Sequence, residues 1–316
     1  MKTDDIRQIT VIGAGMMGHG IGQEFAMAGY NVIFLGRTDE ALQKSVQKIK
    51  RNLNELVEWG VAEKSAVQSA LNRIRTTVVR EEALNDADVV IESIIEDLEI
   101  KQQLFQDMDR LCPDRTILAS NTSSLLPSDL ALTTRRPDRV LVAHYFNPPY
   151  LMPLVEIVRG KDTSDMTVET VFELMKAVGK KPIICQKEAL GFIANRLQLV
   201  LWREAFNMVQ RGIATPQDVD IAVKNSFGRR LGVAGPFEIL EHNDGYDLTL
   251  QCEKYILPDM DTSDESYRLL LEKIEKGELG AKTGQGFYKW TPEFTGAWRK
   301  NMLANLVEFA KKDMNF

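Results

Sequence analysis

The sequence predicts an α/β protein with an N-terminal doubly wound, mostly parallel sheet and an all-helical C-terminal domain. Three observations carry this. Short β-branched apolar runs alternate with helical periodicity along the first part of the chain. A Gly-x-Gly-x-x-Gly run sits between the first strand-like run and the first helical one. From Glu188 onward the strand-like runs stop and only helical periodicity remains. The length of 316 residues admits two domains, and a hydrophobic content of 44% is too high for a disordered chain.

In order, residues 9–12 (Ile-Thr-Val-Ile) read as a buried strand. The glycine run follows, then a helix with Ile21, Phe25 and Ala28 on one face and Gly29 as its stop. Residues 31–35 form a second strand ending at Gly36-Arg37, which completes one β-α-β unit. Leu42, Val46, Ile49, Leu53 and Leu56 recur at three- and four-residue steps, Gly60 breaks the pattern, and Val67 and Leu71 resume it. This predicts a pair of helices projecting from the sheet, with Lys44, Lys48, Lys50 and Arg51 on a polar face. That face reads as solvated, or as a place for a phosphate-bearing ligand. Strands are expected at 88–93, 116–120, 140–144 and 154–158, with helices between, and a further βα unit over 168–184. Helices follow at 190–211, 218–225 and 246–255. The expected domains are 1–187 and 188–316.

The formal net charge of -6 argues against a general attraction to nucleic acid or anionic membrane. No apolar run reaches the roughly 18 residues of a membrane helix, and the first residues lack the apolar stretch of a signal peptide. Cys112, Cys185 and Cys252 stand far apart, which argues against a disulfide framework or a thiolate metal site and suits the reducing cytosol. Histidines number only three: His19, His144 and His242.

The glycine run gains weight from its setting, after a strand and before a helix. Gly13 permits the tight turn, Gly15 lets backbone approach a pyrophosphate, and Gly18 allows the helix to pack on the strand. The amides of Met16 and Met17 fall at the helix start, where they would face phosphates. This is the fingerprint of a Rossmann-type dinucleotide site. At the end of the second strand, Gly36-Arg37 replaces the acidic residue usual for NAD, so NADP stays open beside NAD. Arg37 could instead stack on adenine or face solvent.

His144 closes a predicted strand, and Glu156 lies in the next one. A histidine at a strand end, oriented by a neighbouring carboxylate, suits general-base chemistry. His19 reads as a helix-surface or capping residue, and His242 falls in the helical domain. Asn121-Thr122-Ser123-Ser124 follows another strand end, where amide and hydroxyl groups could hold a reacting oxygen or simply cap a helix. Asn195 follows Gly191-Phe192 near the domain junction.

Taken together, the chain resembles the 3-hydroxyacyl-CoA dehydrogenase family over nearly its whole length. The likeness rests on the glycine run, Ile91-Glu92-Ser93-Ile94-Ile95-Glu96 with Lys101, and Ala119-Ser120-Asn121-Thr122-Ser123-Ser124. It continues through His144-Tyr145-Phe146-Asn147-Pro148, Leu154-Val155-Glu156, Gly191-Phe192 with Asn195-Arg196, and Lys282-Thr283-Gly284-Gln285-Gly286. The resemblance implies His144 as base, Glu156 as its partner, Ser123 and Asn195 on the substrate's reacting oxygen, and Asn147 at the substrate. It implies Glu96, Lys101, Asn121 and Lys282 near the cofactor, and a homodimer through the helical domain. The stretch from Asn147 to Glu156 is similar to that of relatives acting on free hydroxy acids, such as L-gulonate 3-dehydrogenase. A small-molecule substrate follows, either a 3-hydroxyacyl-CoA or a free 3-hydroxycarboxylic acid.

Overall fold

The computed structural model describes residues 3–263 and 267–314. Eight strands form one sheet: β1 (Gln8–Ile12), β2 (Asn31–Leu35), β3 (Ile74–Thr77), β4 (Val89–Glu92), β5 (Ile117–Ser120), β6 (Val140–Tyr145), β7 (Leu154–Arg159) and β8 (Lys181–Cys185). Their order is β3-β2-β1-β4-β5-β6-β7-β8. Neighbours are parallel except β6 and β7, which pair antiparallel. The order reverses between β1 and β4, so the crevice for a ligand lies beyond the carboxyl ends of these strands. The nearly unbroken apolar character of β1, β2, β4, β5 and β6 follows from helices covering both faces.

Helices α1 (Gly18–Met27), α2 (Asp39–Glu58), α3 (Lys64–Asn72), α4 (Arg80–Leu84), α5 (Leu98–Leu111), α6 (Pro127–Ala131) and α7 (Asp165–Ala177) connect the strands. The α2–α3 pair does not project from the sheet as expected. Leu42, Ile49 and Leu53 of α2 and Ala70 of α3 join Ile9, Val11 and Phe25 in one buried cluster. Their apolar stripe is long enough to lie along α1, and burial there returns about 1.5–3 kcal/mol for each large side chain. The edge strand β3 stands where the sequence shows no strand-like run, directly after the helix that carries Val67 and Leu71. Its sequence, Ile-Arg-Thr-Thr, has no fully buried residue and gives no apolar run.

Two compact units emerge. One comprises residues 3–195 with 301–314, the other residues 196–300. The division therefore lies later than the expected break after residue 187, and the chain end returns to the first unit. The reason is local: residues 192–195 are tied to Glu156 and Ser123. In addition, Leu303, Leu306, Val307 and Ala310 pack with Leu56 and Leu151. The second unit is helical, from most of α8 (Ala194–Gln210) through α9 (Pro216–Asn225), four further helices and the first turns of the terminal helix (Pro292–Met314). Among the described residues, no helix is long and apolar enough to cross a membrane.

Candidate active site

The dinucleotide loop is built by strand β1 running into Gly13, whose N–H donates to the Leu35 carbonyl at 2.9 Å. Gly13 has φ +92°, and a Cβ there would lie 2.5 Å from the Ser93 carbonyl oxygen. A Cβ on Gly18 would lie 1.8 Å from the Gly13 carbonyl, so α1 rests on the loop's own backbone. Gly15, in contrast, is exposed, with nothing within 4 Å of where its side chain would stand. No side chain caps the first turn of α1 at Met17, and Met16 is exposed. A positive helix end beside open, side-chain-free backbone fits a pyrophosphate. Ser45 of α2 pins this loop by donating to the Ala14 carbonyl at 2.5 Å.

His19 Nδ1 sits 2.7 Å from the Gly15 carbonyl. Burial lowers its pKa, with Lys48 and Arg51 adding to the effect against the opposing Gly15 carbonyl. His19 is thus a neutral brace of the loop. At the end of β2, Arg37 is exposed, and Asp39 and Glu40 enter the first turn of α2 behind the Thr38 cap. Gly36 has a packing reason: a Cβ there would lie 2.7 Å from Leu42 Cγ.

The ends of β4 and β5 are joined by buried charge. Glu92 Oε1 accepts from Lys101 Nζ at 2.5 Å and from the Ile94 amide at 2.6 Å, while Oε2 accepts from Ser120 Oγ at 2.6 Å. Lys101 Nζ also lies 3.4 Å from Glu96 Oε2. Glu96 Oε1 accepts from Thr122 Oγ1, Ser124 Oγ and the amides of Ser123 and Ser124. Burial would raise the Glu96 pKa, but the bonds from Thr122 and Ser124 and the charge of Lys101 hold it below the usual carboxylate range. Lys101, only 1% exposed, is engaged by two carboxylates. Asn121 Oδ1 accepts the Tyr145 amide at 2.9 Å, tying this loop to β6.

His144 and Glu156 are direct cross-strand neighbours in the antiparallel β6–β7 ladder. Nδ1 of His144 lies 2.8 Å from Glu156 Oε2, and both side chains are buried. Glu156 Oε1 accepts the amides of Ile193 at 3.0 Å and Ala194 at 2.8 Å. Burial would raise the Glu156 pKa; the bonds from His144, Ala194 and Ile193 outweigh it and lower it. A carboxylate held ionised accepts an Nδ1–H, which leaves the imidazole lone pair on Nε2. Phe146 and Phe192 flank the ring edge-on, at centroid distances of 4.6 and 5.4 Å. Gly191 and Phe192 both take positive φ, 76° and 52°, in the turn that aims the two amides at Glu156. Asn195 follows, and its Nδ2 donates to the Ser123 carbonyl at 3.4 Å.

A continuous polar path therefore runs from His144 through Glu156, the Ile193 and Ala194 amides, Asn195, Ser123, Glu96 and Lys101 to Glu92. Asn147 stands exposed at the start of the segment after β6, joined to Pro148 by a cis peptide bond. Lys282, exposed in a turn, and His242 belong to the other compact unit. Sequence reasoning missed the ion pair of Glu92 with Lys101 and the two main-chain donors to Glu156. A carboxylate inside an apolar strand, Val-Val-Ile-Glu, was the available signal for Glu92.

This fold and loop define a dinucleotide-binding protein, and comparison with known proteins makes it an NAD-dependent oxidoreductase. The chain belongs to the 3-hydroxyacyl-CoA dehydrogenase family: the NAD-binding domain of that family matches residues 8–189 and its C-terminal domain matches residues 191–290. A 3-hydroxybutyryl-CoA dehydrogenase of Clostridioides difficile is 37% identical, covering 90% of this chain and 99% of that protein. A 5-formyl-3-hydroxy-2-methylpyridine 4-carboxylate 5-dehydrogenase of Mesorhizobium japonicum is 31% identical, covering 96% of each. The crystal structure of a 5-dehydrogenase of that pyridine carboxylic acid, described as an NAD+-dependent dismutase, superposes with a TM-score of 0.90. It is 30% identical, with coverage of 98% of this chain and 99% of that one.

Proposed function

We propose that the protein catalyses reversible NAD-dependent oxidation of a hydroxyl group β to a carbonyl or carboxylate, with His144 as the general base. The observation that carries this is the buried His144–Glu156 pair at 2.8 Å, with His144 near the carboxyl end of β6, on the side of the sheet where β1 runs into the dinucleotide loop. Glu156 keeps the proton on Nδ1 and stabilises the imidazolium that forms when Nε2 takes the substrate's hydroxyl proton. Ser123 and Asn195, already joined, hold the oxygen as it becomes a carbonyl. The backbone of Gly13, Gly15, Met16, Met17 and Gly18 would hold the pyrophosphate, with Arg37, Glu96, Lys101 and Asn121 assigned to the same cofactor. When bound, NAD supplies the hydride acceptor.

The first substrate reading is a 3-hydroxyacyl-CoA, supported by the family and by the relative from C. difficile. The second is a free small 3-hydroxycarboxylic acid. It is supported by the likeness over 96% of this chain to the pyridine carboxylate dehydrogenase, whose named substrate is a free carboxylate and not a CoA thioester. Turnover of 3-hydroxybutyryl-CoA and of free hydroxy acids, measured in parallel with NAD, separates them: activity on free acids alone removes the first reading.

A homodimer formed through the helical unit is part of this proposal. Among the described residues of 196–300, no apolar side chain is buried, and Leu199, Trp202, Phe237 and Tyr255 are 56, 46, 77 and 84% exposed. Apolar surface on that scale is characteristic of an association face. Light scattering should give twice the chain mass at micromolar concentration, and Trp202→Glu should weaken association. A wild type that stays monomeric there would refute the dimer. The three unpaired thiols support a reducing compartment, the cytosol.

A further inference from the structure

Beside the base lies a segment, residues 146–153, that joins β6 to β7. Pro148, Pro149 and Pro153 have no N–H, so the segment cannot extend the sheet and its carbonyls need donors from elsewhere. Within it, the amides of Leu151 and Met152 both donate to the Pro148 carbonyl at 3.0 Å. The Lys181 amide donates to the Pro153 carbonyl at 2.8 Å, and two further donors come from one buried side chain. Lys180, which precedes β8, donates from Nζ to the Pro149 carbonyl at 2.6 Å and to the Met152 carbonyl at 3.4 Å. The same ammonium pairs with Glu24 of α1. Its side chain is 4% exposed and that of Glu24 12%. Three partners match the three N–H bonds of an ammonium.

Removing an ammonium from water costs several kcal/mol, which a structural strut does not require. What this one connects is specific. Glu24 stands on α1, the helix that opens at the dinucleotide loop. Helix α1 also touches the segment directly: a Cβ on Gly20 would lie 3.0 Å from Pro149 Cδ. The cofactor-side helix and the turn that follows the base are therefore held at a fixed separation through one buried cation.

We propose that Lys180 is a positioning residue that sets the wall of the substrate pocket formed by residues 147–153. It acts on substrate binding and not on proton removal. This rests on the reading of His144 as the base, since that places the segment beside the substrate.

Lys180→Met keeps the length of the side chain and removes its charge and donors. Hydrogen exchange in peptides covering 147–153 should quicken, while peptides of β1 and β4 stay protected. With whichever of 3-hydroxybutyryl-CoA and 3-hydroxybutyrate the wild type oxidises, KM should rise about tenfold, the scale of a lost charged hydrogen bond. The kcat and its pH profile should hold, and Lys180→Arg should recover part of the KM. If Lys180→Met does not fold, Glu24→Gln is read by the same measurements, with smaller changes of the same sign. A folded variant with unchanged exchange and KM overturns the proposal, as does a fall in kcat at constant KM. His144→Ala keeps the two ideas apart: turnover in that variant bears on the base alone, and an unchanged KM in folded Lys180→Met overturns the role of Lys180 whatever its exchange shows.

Discussion

His144→Ala should lower turnover by about 10²–10⁴-fold, the usual contribution of a positioned proton acceptor, with NAD affinity little changed. The size of the effect follows from burial. His144 is 4% exposed and packed between Phe146 and Phe192, so bulk water has poor access to act as a substitute base. The selectivity follows from position. The glycine loop makes its contacts through Leu35, Ser93, Ser45 and α1, none of which involves the imidazole. Stopped-flow or steady-state turnover beside NAD titration by fluorescence checks both halves. Normal turnover in the folded variant would remove His144 from the chemistry.

Glu156→Gln should cost about 10³–10⁴-fold in turnover, on the scale seen when the carboxylate of a catalytic triad becomes an amide. The amide oxygen can still accept the Ile193 and Ala194 amides, so the turn at Gly191 and Phe192 survives. The amide nitrogen then faces Nδ1. It donates where the carboxylate accepted, which drives the ring proton to Nε2 and leaves the base without its lone pair. The variant should therefore melt close to the wild type yet remain slow at all pH values at which the histidine is neutral. Glu156→Ala should behave differently, losing stability as well, because two main-chain amides lose their acceptor. Equal turnover for wild type and Glu156→Gln would show that the carboxylate does not govern the tautomer.

Much of the sheet was legible because fully buried strands write themselves as apolar runs. β1, β2, β4, β5, β6 and β7 all fall where such runs stand. β3 escaped because an edge strand with Arg75, Thr76 and Thr77 carries no such run. The antiparallel sense of β6 and β7 was within reach: only eight residues separate Tyr145 from Leu154, too few for a crossover between parallel strands. For the site, His144 and Glu156 could be paired on spacing once the strands were placed. The amides of Ile193 and Ala194 could not, since a main-chain donor leaves no mark in the residue type. Lys180 and Glu24 lie 156 residues apart in sequence, and each looks like an ordinary surface charge. Their pairing is a product of folding alone.

The antiparallel ladder between β6 and β7 separates what the protein does from what it does it to. His144 and Glu156 face each other across a hairpin whose register is set by the strands, while the turn between them only has to start and finish in the right places. The clamp on that turn grips carbonyl oxygens of Pro149 and Met152 and is blind to their side chains. Positions of that turn outside its packed side chains, Pro149 on α1 and Leu151 in the buried cluster, can thus be changed by mutation with the His144–Glu156 pair untouched. Such a hairpin is a site where new selectivities can be tried at small risk to the reaction.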